Sequence, residues 1–441
     1  MSVPPMKARA SAIPTGRLAR VGRFSTMAAS IAGGALLDGV SQLAQGKRPS
    51  LSDVLLTPAN ARILTNQLAQ LRGAAMKIGQ MLSMDTGDFL PPELTDILGQ
   101  LRSEARQMPD SQLRAVLNQN WGKGWEARFR SFDFTPIAAA SIGQVHRATT
   151  VEGADLAIKV QYPGVRRSID SDVDNVATLI RLSGLLPRSL DVAPLLAEAK
   201  RQLHEEADYE REAQCLEQFG ALLADTPAYR VPALHAAFTT PNVLAMDYIE
   251  SVPIESRLDA SQEDRDRIAT LLIELLFREL FDFQLMQTDP NFANYRYYLN
   301  THQLVLLDFG ATRSFDPTLA EAYRRLMTSV FAGAWDAAQR DMISIGYIDT
   351  KAPPNHQNAM TALVKMAMAP LQDAELFDFG KTAVMGALRE EGMTLAARRD
   401  LWHIPPTDTL FIQRKLGGVY LLATRLKARV DVMAIVNSFC D

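Results

Sequence analysis

The sequence predicts an α+β fold in two lobes, preceded by a helical N-terminal addition. Three observations predict it. Apolar residues recur at helical spacing through 51–119. Short apolar segments bounded by glycine and proline gather between 130 and 250. Beyond Pro317 the pattern is almost wholly helical. The boundaries that follow are a basic segment at 1–50, a helical addition at 51–129, a strand-rich lobe at 130–250 and a helical lobe at 251–441. With 441 residues, 47% of them apolar or aromatic, the chain can build two or three cores without a disulfide or metal staple.

The basic segment comes first. Lys7, Arg9, Arg17, Arg20 and Arg23 precede Asp38 with no acidic residue among them. The whole chain carries 46 basic and 50 acidic residues, a formal net charge of −4, so the remainder holds 41 basic against 50 acidic. The near-balance excludes a nucleic-acid binder of the wholly basic kind. The leader reads as an organelle transit peptide, as a segment drawn to anionic lipid at about 1 kcal/mol per basic residue, or as a solvated tail. Its most apolar run, Met27–Leu37, is shorter than the ~18–20 residues a spanning helix needs. Cys215 and Cys440 have no thiol or histidine at metal-ligand spacing, which fits a reducing compartment.

In the helical addition, Thr57 is an N-cap and Pro58 the first helical position. Leu64, Leu68, Leu71, Ala75, Ile78 and Leu82 then share a face. Pro91-Pro92 stops that helix, and a second covers about 93–119 ahead of "WGKGW". In the strand-rich lobe, "ADLAIKVQY" (154–162) is a strand between Gly153 and Pro163, and 191–222 is helical and charged. The prolines of 230–251 break that stretch into short strands. An amphipathic helix at 262–286 opens the helical lobe, and "HQLVLLDFG" (302–310) is a strand ending at glycine.

Six features carry chemistry, and their chain order gives them meaning. The small-residue loop Ala138, Ala139, Ala140, Ser141 lets a backbone approach phosphates closely, although alone it is a packing turn. Lys159 sits inside an apolar strand, where an ammonium is costly unless it meets an anion. An ATP phosphate and the carboxylate of Glu206, in "EEADYEREA" with Asp208, would serve. "LAMDYIE", with Met246 and Tyr248, is a strand running into a connector whose backbone groups would meet an adenine edge. Asp289 and Asn294 have the D-x-x-x-x-N spacing of a kinase catalytic loop, where the Asp orients a nucleophile and the Asn oxygen binds Mg2+. Asp308 of "LLDFG" follows, a carboxylate suited to the same cation. Each has a bland alternative: a snorkelling lysine, a solvated acidic helix, an Asp-Pro turn. In this order they describe an ATP–magnesium site between two lobes.

The chain resembles the UbiB/ADCK family of atypical kinase-like proteins. "AAASIGQVH" (138–146) is similar to the family's alanine-rich loop. "KIGQ" (Lys77, Gly79, Gln80) matches its KxGQ motif, and "EAD" (Glu206, Asp208) its ExD motif. "QTDPNFAN" (287–294) resembles its catalytic loop, nearer the mitochondrial branch than the bacterial form. The resemblance implies a protein kinase-like two-lobe fold with an N-terminal helical extension. It implies ATP and Mg2+ as cofactors and Lys159 as the phosphate ligand paired with Glu206. Lys77 and Gln80 would close the site, which disfavours phosphorylation of other proteins. No A-P-E motif follows Asp308, which counts against an ordinary protein kinase.

It further implies an ATPase, or a small-molecule or lipid kinase, that supports ubiquinone (coenzyme Q) biosynthesis. The partners would be biosynthetic enzymes or prenylated quinone precursors. The alternative is a non-catalytic, nucleotide-gated scaffold for those enzymes. Little room precedes Lys77 for a long organelle leader, and the C-terminal "LGGVYLLATRLKARVDV" is too short and basic to span a membrane. The expected place is the cytoplasmic face of a bacterial inner membrane, with peripheral lipid contact through 17–40. The matrix side of the mitochondrial inner membrane is the alternative.

Overall fold

The computed structural model describes residues 73–75, 77–78, 107–183, 193–372, 375–381 and 405–440. The leader, Gly79 and Gln80 lie outside them. The chain divides into two compact units, Met1–Gln214 with Ala233–Tyr248, and Cys215–Pro232 with Ile249–Asp441. The division differs from the boundaries read off the sequence, because 215–232 joins the helical unit.

The first unit is built on an antiparallel sheet of five strands: β1 (Phe129–Phe132), β2 (Ala138–Ala139), β3 (Gly143–Thr150), β4 (Asp155–Gln161) and, later in the chain, Val243–Asp247. The last is β6, because the two-residue β5 (Tyr229–Arg230) precedes it. The order is β1-β3-β4-β6, with β2 also on β3. Strand β3 alternates buried and half-buried residues, as a sheet with one covered face should. Gly143 is needed where β3 meets β4: a Cβ there would lie 2.3 Å from the Val160 carbonyl oxygen. Helix α1 (Asp110–Trp121) and the aromatic group Trp121, Trp125, Phe129 and Phe132 close the covered face.

Two helices complete this part, α2 (Val165–Ser183) and α3 (Ala193–Glu206), while α4 (Tyr209–Leu222) begins in this unit and ends in the second. The expected single helix over 191–222 is two. The break falls at Asp208, whose carboxylate accepts from the Arg211 amide and caps α4.

The second unit is mostly helical. Ser261 caps α5 (Gln262–Phe277), which runs into a π-helical turn at Arg278–Asp282. The helix expected over 262–286 therefore ends early. Gln284 takes a left-handed φ of 51°, and 285–287 becomes strand β8, paired with β11. The small strands are β7 (Val252–Pro253), β8 (Leu285–Gln287), β9 (Tyr295–Tyr298), β10 (Gln303–Leu306), β11 (Thr312–Ser314), β12 (Phe377–Asp378) and β13 (Arg429–Val430). Strands β5-β10-β9-β7 form one sheet; β8 pairs β11, and β12 pairs β13. The strand expected over 302–310 stops at Leu306, which leaves Asp308 in the turn beyond it.

Asp316 caps α6 (Pro317–Phe331), with Pro317 at the first helical position. There follow α7 (Trp335–Ser344), α8 (Pro354–Gln372), α9 (Thr407–Leu426) and α10 (Val432–Cys440). Among the described residues no helix is long and apolar enough to cross a membrane.

Candidate active site

In the first unit the sheet presents Lys159 from the middle of β4, opposite Val145 and Leu244. The residue is 7% exposed, and its ammonium lies 2.8 and 3.0 Å from the two carboxylate oxygens of Glu212, which is 1% exposed. The ring of Tyr209 lies 5.2 Å away. This corrects the expected partner: the carboxylate on Lys159 is that of Glu212, not Glu206. The break at Asp208 is the physical reason. Glu206 closes α3, whereas Glu212 stands in the first turn of α4.

Glu206 serves another lysine. Residues 73–75 and 77–78 are helical, and the Lys77 ammonium, 2% exposed, lies 2.5 Å from Glu206 Oε1. The Ser141 hydroxyl donates to Oε2 of the same carboxylate at 2.5 Å. A Cβ on Gly73 would lie 3.0 Å from the Ser141 carbonyl oxygen, so that glycine permits the helix to approach the small-residue loop. Ala138 and Ala139 form β2, and the Ala140 amide closes a turn on the Gly143 carbonyl. The KxGQ lysine, the ExD glutamate and the alanine-rich loop thus meet in one cluster. Asp208 stands beside it, with Arg166 at 4.0 Å.

At the segment expected to meet an adenine edge, one backbone donor is already engaged. Met246 pairs with Ala157 on one side and bridges Leu234 on the other, and the Tyr248 amide donates to the Asp155 carbonyl at 2.9 Å. The sheet therefore uses the Tyr248 N–H. Met246 is buried.

The second unit holds the other expected residues. Asn294 Nδ2 donates to the Asp289 carbonyl at 2.9 Å and to its Oδ2 at 3.3 Å, so the two ends of the D-x-x-x-x-N segment are tied together. The Leu307 amide donates to the Asn294 carbonyl, which brings the two chain segments side by side. Asn294 and Asp308 line one small cavity with Phe309. Phe309 is 2% exposed and packs on Phe219 with ring centres 5.0 Å apart. The Gly310 amide donates to Asp308 Oδ1.

Asn294 and Asp308 suit magnesium. Mg2+ takes hard oxygen ligands, one or two of them from carboxylates, and completes its shell with phosphate and water. Among the described residues no group of three or more His, Cys, Asp or Glu is gathered as a metal cage. That donor set fits a magnesium ion shared with a nucleotide, and does not fit a structural zinc site.

Helix α9 brings three residues that sequence reasoning missed. Arg414 lies 3.2 Å from Asp289 Oδ1. Lys415, 1% exposed, lies 2.8 Å from Glu279. Burial works against the Lys415 ammonium, but the facing Glu279 outweighs it and holds the pKa above the ordinary lysine value. Gly418 packs on the loop itself: a Cβ there would lie 2.0 Å from Pro290 Cγ. The glycine pair inside a helix was the available signal, since Gly in a helix interior costs about 1 kcal/mol and marks close packing.

A family model described as the ABC1 atypical kinase-like domain matches residues 100–342. The chain belongs to the ABC1 atypical kinase-like family. It is 36% identical to the protein named "Atypical kinase COQ8, mitochondrial" of Saccharomyces cerevisiae, over 96% of this chain and 84% of that one. It is also 36% identical to "Atypical kinase COQ8B, mitochondrial" of Rattus norvegicus, over 96% and 80%. A solved structure of Rv3197 with erythromycin from Mycobacterium tuberculosis is similar at a TM-score of 0.59 and 26% identity. It covers 86% of this chain and 95% of that one. These findings agree with the UbiB/ADCK resemblance and with an α+β, kinase-like fold.

Proposed function

We propose that this ABC1-family chain is a magnesium-dependent ATPase, or a phosphotransferase acting on a small molecule or lipid, that supports ubiquinone biosynthesis at a membrane surface. The observation that carries the reading is that Asn294 is hydrogen-bonded to Asp289 and lines one small cavity with Asp308. Two carboxylates and an amide in this chain order are what phosphoryl transfer needs. Magnesium, held by Asn294 and Asp308, would supply neutralisation of phosphate charge. Lys159, kept in place by Glu212, would hold phosphate oxygens. Asp289 would orient the nucleophile, water in the ATPase form. Ala138, Ala139, Ala140 and Ser141 would offer backbone close to the phosphates, and Met246 an apolar wall for the base. Lys77, through Glu206, would fix the extension against the small-residue loop.

The names of the relatives favour a mitochondrial setting. The basic leader fits that setting and a bacterial inner membrane alike, as a peripheral attachment in either case. The Arg414–Asp289 contact favours a second reading, a nucleotide-gated scaffold for biosynthetic enzymes, because an arginine on the carboxylate competes with its role toward a nucleophile. Asp308→Asn tests both. The variant should lose magnesium-dependent ATP hydrolysis by about 100-fold or more, measured by phosphate release. Full hydrolysis would refute the assignment. Lost hydrolysis with full rescue of quinone synthesis in deficient cells would favour the scaffold.

A further inference from the structure

Lys415 and Glu279 are each 1% exposed, so two charges have been taken wholly out of water. Such a pair is a poor way to gain stability, since well-packed apolar residues do as well or better. Its hydrogen bonds point elsewhere. The Lys415 ammonium donates to the Gln287 carbonyl at 2.7 Å and to the Tyr295 hydroxyl at 3.1 Å, and it faces Glu279 at 2.8 Å. Two of its donors are thereby directed to named acceptors, and the charge itself is met by Glu279. Glu279 Oε1 accepts from the Gln287 amide at 3.3 Å. Both backbone groups of residue 287 are therefore held by one buried ion pair. The Gln287 side chain passes the hold forward, with its Oε1 accepting from the Asp289 amide at 3.1 Å. Glu279 and Gln287 also line the cavity that Asn294 and Asp308 line.

We infer that the Lys415–Glu279 pair is a positioning device. It fixes the backbone at 287, and through it the Asp289–Asn294 segment, in the conformation that phosphoryl transfer requires. Lys415 and Glu279 are positioning residues and touch no reacting group. The inference rests on the hydrolytic reading for its link to rate, but not for its structural content.

A charge-swapped variant separates positioning from mere stability. Lys415→Glu with Glu279→Lys retains a buried pair of opposite charges. A carboxylate at 415, however, cannot donate to the Gln287 carbonyl, and an ammonium at 279 cannot accept from the Gln287 amide. The full-length variant should exchange the amides of 287–294 about ten-fold faster or more by hydrogen exchange. It should lose about ten-fold in kcat for ATP hydrolysis with KM unchanged. Lys415→Arg, which still donates, should keep most of both properties. Wild-type exchange over 287–294, or full kcat, in the swapped variant would overturn the inference. If the swap does not fold, Lys415→Met with Glu279→Gln is read by the same two measurements. If neither folds, the pair is a stability element and the inference fails. A wild-type protein that hydrolyses no ATP would sink the hydrolytic reading alone, because exchange still decides whether the clamp holds.

Discussion

His146 illustrates how far one buried side chain is determined by its neighbours. Its Nδ1 lies 2.8 Å from the Asp133 carbonyl, which can only accept, so Nδ1 carries the proton. Its Nε2 then accepts from Gln144 Nε2 at 2.8 Å, while Gln144 Oε1 accepts from the Met108 amide at 3.0 Å. A second proton would set N–H against N–H. Burial lowers the imidazole pKa, and the attraction of Asp133 and Asp110 does not reverse it. A histidine with a depressed folded pKa contributes stability that is present above the unfolded value and lost as pH falls toward the folded one. The first unit should therefore weaken as pH drops below the ordinary imidazole value of 6.5. Urea midpoints compared at pH 7.5 and 5.5 check this, with a smaller drop expected for His146→Gln. The same dependence on neighbours limits what sequence shows of individual residues. The cost of burying Lys159 was legible from its apolar strand, and so was the need for an anion. Which of the carboxylates in "EEADYEREA" answers it was not, because that depends on where Asp208 ends one helix and caps the next.

At the scale of elements, α9 is the least legible and among the most consequential. Its apolar spacing announces a helix but not a partner. Lys415 and Gln287 are separated by 128 residues, and nothing local links them. The motifs were legible because their spacing is local: Asp289 and Asn294 lie five apart, and a single turn of 3₁₀ helix at Phe292–Asn294 brings them together. Gly418 is where α9 and that loop touch. Adding one methyl puts a Cβ 2.0 Å from Pro290 Cγ and 2.5 Å from its Cβ, and a proline ring held in a loop has little room to yield. Gly418→Ala should cost about 1–3 kcal/mol in urea unfolding. If the loop is the part that gives way, kcat should fall more than nucleotide affinity does. Equal loss of both would mean that the helix shift reaches further than the loop.

At the scale of the whole molecule, the formal charge of −4 conceals a segregation along the chain, which bears on the proposed attachment to a membrane surface. The five basic residues before Asp38 meet no acid in their own stretch, and the remainder carries 50 acidic against 41 basic residues. Near an anionic bilayer the leader is attracted while the body is repelled, which favours attachment by one end. About 1 kcal/mol per basic residue near the surface gives roughly 3–5 kcal/mol in total, enough for reversible binding and too little for permanent anchoring. Removing residues 17–40 deletes three of the five cations together with the apolar run Met27–Leu37. The truncated protein should leave anionic liposomes in a sedimentation assay and still bind nucleotide, since Lys159, Asn294 and Asp308 lie far along the chain. Raising the salt from about 0.01 M to 0.15 M shortens the screening length from roughly 30 to 8 Å, and should weaken binding of the intact protein alone. Undiminished sedimentation of the truncated protein would place the lipid contact elsewhere. Salt-insensitive binding of the intact protein would mean that apolar insertion, rather than charge, holds it at the surface.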